Sequence, residues 1–144
     1  MKGQASVEML VTLGVVIAFT LPVLFLLLSV TQVGQEHTAV AQAQASSRSL
    51  ADTVNRVYAM GPGAKRLLYL NIPSTTKNIT IKEIGTKPGG EVVITVTTSR
   101  GIFEAVAPTF AEINDVYSTI EGKTGLFPVI VESDTNGEVI IRAD

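Results

Sequence analysis

The 144-residue chain contains no cysteine, no tryptophan and a single histidine, His37. Without cysteine there is no disulfide, no thiolate metal site and no cysteine nucleophile. One imidazole leaves no second histidine for a His-based zinc site or a proton relay. Charge is scarce as well: 11 Lys plus Arg stand against 13 Asp plus Glu, a formal net charge of -2. That balance offers no counterion-releasing surface, so nucleic acid is not an expected partner. Aromatic residues make up only 6%. What the chain has in excess is aliphatic surface, with a mean hydropathy of +0.36.

The excess sits at one end. From Met9 to Val30 no charged residue occurs in 22 positions. As a helix rising about 1.5 Å per residue, this run is roughly 33 Å long and matches a hydrocarbon core of about 30 Å. A buried core helix is the first alternative, but the run is apolar on every face and the remaining chain is too small to wrap it. A secretory signal peptide is the second. Its apolar region would be about 7–15 residues, ahead of a small-x-small cleavage site. Thr31-Gln32-Val33-Gly34-Gln35-Glu36 offers no such site. The run therefore reads as a retained single-pass segment, with Lys2 favouring a cytoplasmic amino end.

Glu8 is the anomaly at its edge. A carboxylate one turn inside an apolar segment is costly unless it is paired, hydrated or protonated. One reading places it at headgroup depth. The other requires a cationic partner, which Lys2, six positions back, cannot supply along one helix face.

Lys2-Gly3-Gln4-Ala5-Ser6-Val7-Glu8, directly before the apolar run, resembles the class III signal peptide of archaeal type IV pilins, with its Gln-x-Ser-x-Glu pattern. The resemblance implies cleavage between Gly3 and Gln4 by a membrane aspartyl prepilin peptidase. It implies a subunit held in the membrane until a pilus assembly ATPase and a membrane platform extract it into a helical filament. The apolar helices would pack as the filament core, with the heads facing outward. Cleavage would free the α-amino group of Gln4 and make Glu8 the fifth residue of the mature chain. That amine lies too close in sequence to satisfy its own Glu8, so the natural pairing is between neighbouring subunits. Opposite charges at low dielectric attract strongly and would set the axial register. Archaellum subunits share the plan with a different leader and rank second.

Two further features lie inside the run. Gly14 and Ala18 form a small-x3-small pair that lets another helix backbone approach. Pro22 removes a backbone donor and clashes with the carbonyl of Ala18, so a kink or a short unwound stretch is expected there.

The helical pattern continues past the apolar run. No proline occurs from Thr31 to Met60, and Ala and Gln are abundant. Leu50, Val54, Val57 and Tyr58 fall on one face, and Gly61-Pro62-Gly63 ends the pattern. Gln4 to Met60 would be one helix of roughly 85 Å if straight. His37 and the Ser46-Ser47-x-Ser49 cluster read as solvated helix surface, with no catalytic context.

Residues 61–144 change character. Strands are expected at Lys65–Asn71, Lys77–Ile84, Glu91–Thr98, Ile102–Val106, Phe127–Glu132 and Glu138–Arg142. The last two form a hairpin with Asn136-Gly137 at its turn. Phe110–Glu121 fits either a helix or a strand, and strand is favoured on composition. The fold class expected is α+β: a long amino-terminal helix followed by a small antiparallel β-sandwich-like head. That head is marginal alone and would be completed by the face from Leu50 to Tyr58. The divisions expected are a leader over 1–3, a helix over 4–60 (apolar to residue 30, amphipathic beyond) and a head over 61–144.

Other chemistry is not indicated. Asp134-Thr135-Asn136-Gly137-Glu138 lacks the spacing of a calcium loop and fits a turn better. Gly85-Thr86-Lys87-Pro88-Gly89-Gly90 lacks the following helix of a phosphate loop and reads as a β turn. Tyr69, Phe103, Phe110, Tyr117 and Phe127 are assigned to the core rather than to a stacking platform. Asn78-Ile79-Thr80 is a glycosylation sequon. The expectation is a non-catalytic subunit of an extracellular filament, self-assembling, without cofactor or metal, with adhesion as its role. The precursor would lie in the cytoplasmic membrane. The alternative is a monomeric bitopic membrane protein whose β head binds a surface partner.

Overall fold

The computed structural model describes residues 2–83, 89–114, 120 and 122–143. One helix, α1 (Lys2–Met60), precedes six strands among the described residues. They are β1 (Lys65–Ile72), β2 (Thr76–Glu83), β3 (Gly90–Thr98), β4 (Gly101–Thr109), β5 (Gly125–Ser133) and β6 (Val139–Ala143). The class is α+β, as the patterning indicates. Two compact units divide the chain, Met1–Glu36 and His37–Asp144, so the second part of α1 belongs with the strands.

Within the second unit, the strands form two antiparallel three-stranded sheets, ordered β1-β5-β6 and β2-β3-β4. Strand alternation decides what each sheet buries. In β3, Val92, Ile94 and Val96 are fully buried, whereas Val93 and Thr95 are half-buried and Thr97 is exposed on the other face. β1 turns Leu70 and Ile72 inward, and β5 does the same with Phe127, Val129 and Val131. Leu50, Val54 and Val57 of α1 join residues of both sheets in one buried cluster, with Tyr58 packed against it. The spacing Ala43, Ser47, Leu50, Val54, Val57 is the narrow stripe of a helix that buries one side. At about 1.5–3 kcal/mol for each large side chain, this stripe supplies a substantial part of the core.

The helix ends because Gly61 and Gly63 take φ of +87° and +84°, which side-chain-bearing residues rarely adopt. Gly61 N–H donates to the carbonyl of Tyr58 at 3.1 Å. Gly63 N–H then donates to Ser133, and Ser133 N–H to Ala64, at 3.0 and 2.8 Å. These two bonds tie the helix exit to the end of β5.

Several expectations need correction. Ser46 and Ser47 are buried, not solvated. Ser46 Oγ donates to the carbonyl of Asn71 at 2.8 Å and Ser47 Oγ to that of Gln44 at 3.1 Å, so small hydroxyls fit where the helix meets β1. Tyr69 and Phe110 are exposed rather than core, because Tyr69 falls on the outward parity of β1 and Phe110 follows the last residue of β4. Phe110 instead meets Tyr58 edge-on at 6.2 Å, and its N–H donates to Asn55 Oδ1 at 3.0 Å. The β5–β6 hairpin, by contrast, is present as expected, with Asn136 and Gly137 in its turn. Gly137 N–H donates to Asp134 at 3.0 Å and Asp134 N–H to Glu138 at 2.8 Å, with Gly137 alone at φ +89°. Over 110–114 no named strand forms; Ile113 makes an isolated parallel bridge to Val139. Residues 115–119 and 121, Tyr117 among them, lie outside the described residues, as do Ile84 at the end of the expected strand Lys77–Ile84 and residues 85–88 of the expected Gly-rich turn.

Candidate functional site

The first unit is one helical segment. Every residue from Ser6 to Gln35 is exposed, including the large side chains from Met9 to Val30. α1 is long and apolar enough to cross a membrane, and its apolar run is not buried. Exposed apolar surface of this extent marks a membrane or protein interface. The energetic comparison is one-sided. Burying the segment's large aliphatic and aromatic side chains is worth on the order of 25 kcal/mol at about 1.5 kcal/mol each. A carboxylate in a helix centre costs about 3 kcal/mol, and less near an edge. Glu8 therefore cannot keep the segment in water.

Hydroxyls are accommodated inside the run by bonding back to the helix. Thr12, Thr20, Ser29 and Thr31 donate to the carbonyls of Glu8, Val16, Phe25 and Leu27 at 2.7–2.9 Å. Each polar side chain then presents mostly carbon outward. Residues on both sides of Pro22 are helical, so the expected unwound stretch is absent. Pro22 still lacks the N–H that would serve the Ala18 carbonyl.

The residues of the expected processing pattern occupy the start of this helix. Gly3 and Gln4 lie in its first turn, although the side chain of Gln4 lies outside the described residues. Ser6 and Glu8 follow and are exposed. Gly14 and Ala18 are exposed too, and a Cβ at Gly14 would meet nothing within 4 Å, so this surface is open to another helix. Asn78 belongs to the other unit, on the outer face of β2. Its Nδ2 donates to Thr80 Oγ1 at 3.1 Å, which puts the two sequon side chains next to each other on an exposed edge strand. His37 is exposed.

The strongest ionic feature of the head is a cluster on one outer sheet face. Glu132 receives Lys65 at 3.4 Å and Arg142 at 3.2 Å. The described residues contain no group of three His, Asp or Glu side chains placed to hold a metal ion. Asp134 Oδ1 accepts from Thr135 N–H at 2.7 Å, a turn contact rather than a cation site.

Sequence reasoning missed the exposed apolar residues of the head. Leu67 and Tyr69 stand on the same outer face, and Leu126 joins them across the sheet. The signal was present in Lys65–Ile72, where both parities of the strand are apolar, unlike a strand with one wet face. Set against protein-family models, curated proteins and solved structures, the chain matches none.

Proposed function

We propose that the chain is the precursor of a type IV pilin-like subunit, a non-catalytic building block of an extracellular helical filament. One observation carries the reading. The Gly3-Gln4-x-Ser6-x-Glu8 sequence opens a helix whose apolar run is exposed along its whole described length. In the membrane, lipid covers that run. After removal of residues 1–3, the corresponding runs of neighbouring subunits cover it, with Gly14 and Ala18 permitting close approach. Glu8 then receives the Gln4 amine of an adjacent subunit and sets its axial position. A prepilin peptidase, an assembly ATPase and a membrane platform are the partners this route requires, and adhesion is the role proposed for the fibre.

Shearing of cells that express the chain tests the polymer directly. Filaments seen by electron microscopy in the sheared fraction, with this chain as their component, are the expected result. A chain recovered only as a membrane-bound monomer refutes the polymer and leaves a single-pass anchor carrying a β head.

A further inference from the structure

The two outer sheet faces of the head differ in a complementary way. On the β1-β5-β6 sheet, Leu67 lies opposite Ile130, Tyr69 opposite Pro128 and Asn71 opposite Leu126. Tyr69 is 63% exposed and Leu126 72%. One end of this face is bounded by Lys65 and Arg142, which share the single carboxylate of Glu132. Two cations on one anion leave that rim positive. On the β2-β3-β4 sheet, Val93 lies opposite Val106 and Thr97 opposite Ile102, with Ile102 and Val106 exposed. Between those pairs stands Glu104, opposite Thr95, exposed and without an ion pair among the described residues. Each head thus carries one outer face with exposed apolar residues and a positive rim, and a second whose apolar residues Val93, Ile102 and Val106 flank a polar row of Asn78, Thr95 and the negative Glu104.

We infer that heads of successive subunits meet head-to-tail, the outer β1-β5-β6 face of one copy against the outer β2-β3-β4 face of the next. The occupant of each face is a second copy of this chain because the excess cation at one face and the unpaired Glu104 carboxylate at the other complement each other. A heterologous contact of this kind repeats without closing, as an open helical assembly requires. Its size sets when it acts. Three strands about 4.8 Å apart, with about five residues rising about 3.3 Å each, cover roughly 240 Å². A stable interface needs about 800 Å² per partner. The contact cannot hold free subunits together; it orders heads already gathered by their helices, and so rests on the filament reading.

The absence of native cysteine makes introduced thiols a clean reporter. Full-length chains carrying Tyr69→Cys, Val106→Cys or both are assembled on cells, sheared off, treated with a short flexible bis-maleimide and denatured. The double variant should give a ladder of dimers, trimers and higher multimers, and each single variant only monomers. Adding Glu104→Lys to the double variant should abolish the ladder. Dimers from Tyr69→Cys alone would place like faces together and overturn the head-to-tail arrangement. Intact filaments of the double variant that yield only monomers overturn the contact outright. If that variant does not assemble, Leu67→Cys with Ile102→Cys is read by the same outcomes. Failure of the unmodified chain to form filaments is a separate result, which removes the filament reading and this contact with it.

Discussion

Glu8 and Leu50 show how differently single residues act in the two units. Glu8 is exposed and stands directly before the apolar run, with its backbone carbonyl taking the Thr12 hydroxyl. Nothing in the head's core depends on its carboxylate. Glu8→Ala should therefore leave the thermal unfolding of the head unchanged while filaments disappear from the sheared fraction. Normal filaments from that variant would show that the amine–carboxylate pairing does not set the register. Leu50 is fully buried among residues of α1 and both sheets. Leu50→Ala should cost about 2–5 kcal/mol in chemical denaturation, the range for a cavity in a packed core. Glu132→Gln removes only surface ion pairs, and its effect should stay within about 1 kcal/mol.

At the scale of elements, periodicity was readable wherever one face is wet and the other dry. Val92, Ile94 and Val96 declared β3, and Leu50, Val54 and Val57 declared the docking face of α1. It failed where burial follows from neighbours distant in sequence. Ser46 looks solvated in its own helix and is buried only because Asn71 accepts its hydroxyl. Phe110 looks like core and is exposed because β4 ends just before it. The turn after β5 was legible from Asn136-Gly137, and Gly137 takes a left-handed φ there. At Pro22, where a kink or a short unwound stretch was expected, the surrounding residues remain helical, which rules out the unwound stretch alone. The missing donor should still mark the weakest turn of the run. In detergent micelles, Pro22→Ala should slow amide exchange in the adjoining turn, and unchanged exchange would show that the proline is no weak point.

For the whole molecule, the boundary between units falls within a helix rather than at the Gly61-Pro62-Gly63 stop. Composition alone placed the head after that stop, because the change from Ala and Gln to alternating β-branched residues occurs there. The core places it earlier, since residues 43–57 of α1 are part of the same buried cluster as the strands. A fragment of residues 37–144 should unfold cooperatively without detergent. A fragment of residues 61–144 should lack a cooperative transition, having lost Leu50, Val54 and Val57. Equal stability of the two would contradict the role given to the helix in the core.

The Gly3-Gln4-x-Ser6-x-Glu8 pattern and the apolar run were legible in sequence because both are local. The complementary outer faces of the head were not, because they exist only once strands from different parts of the chain are brought into register. If the apolar helix enters a filament after its leader is cut, mass spectrometry of the native protein should find an amino terminus at Gln4, as the free amine or cyclised to pyroglutamate. A chain that retains Met1, or one cut after Val30, contradicts it.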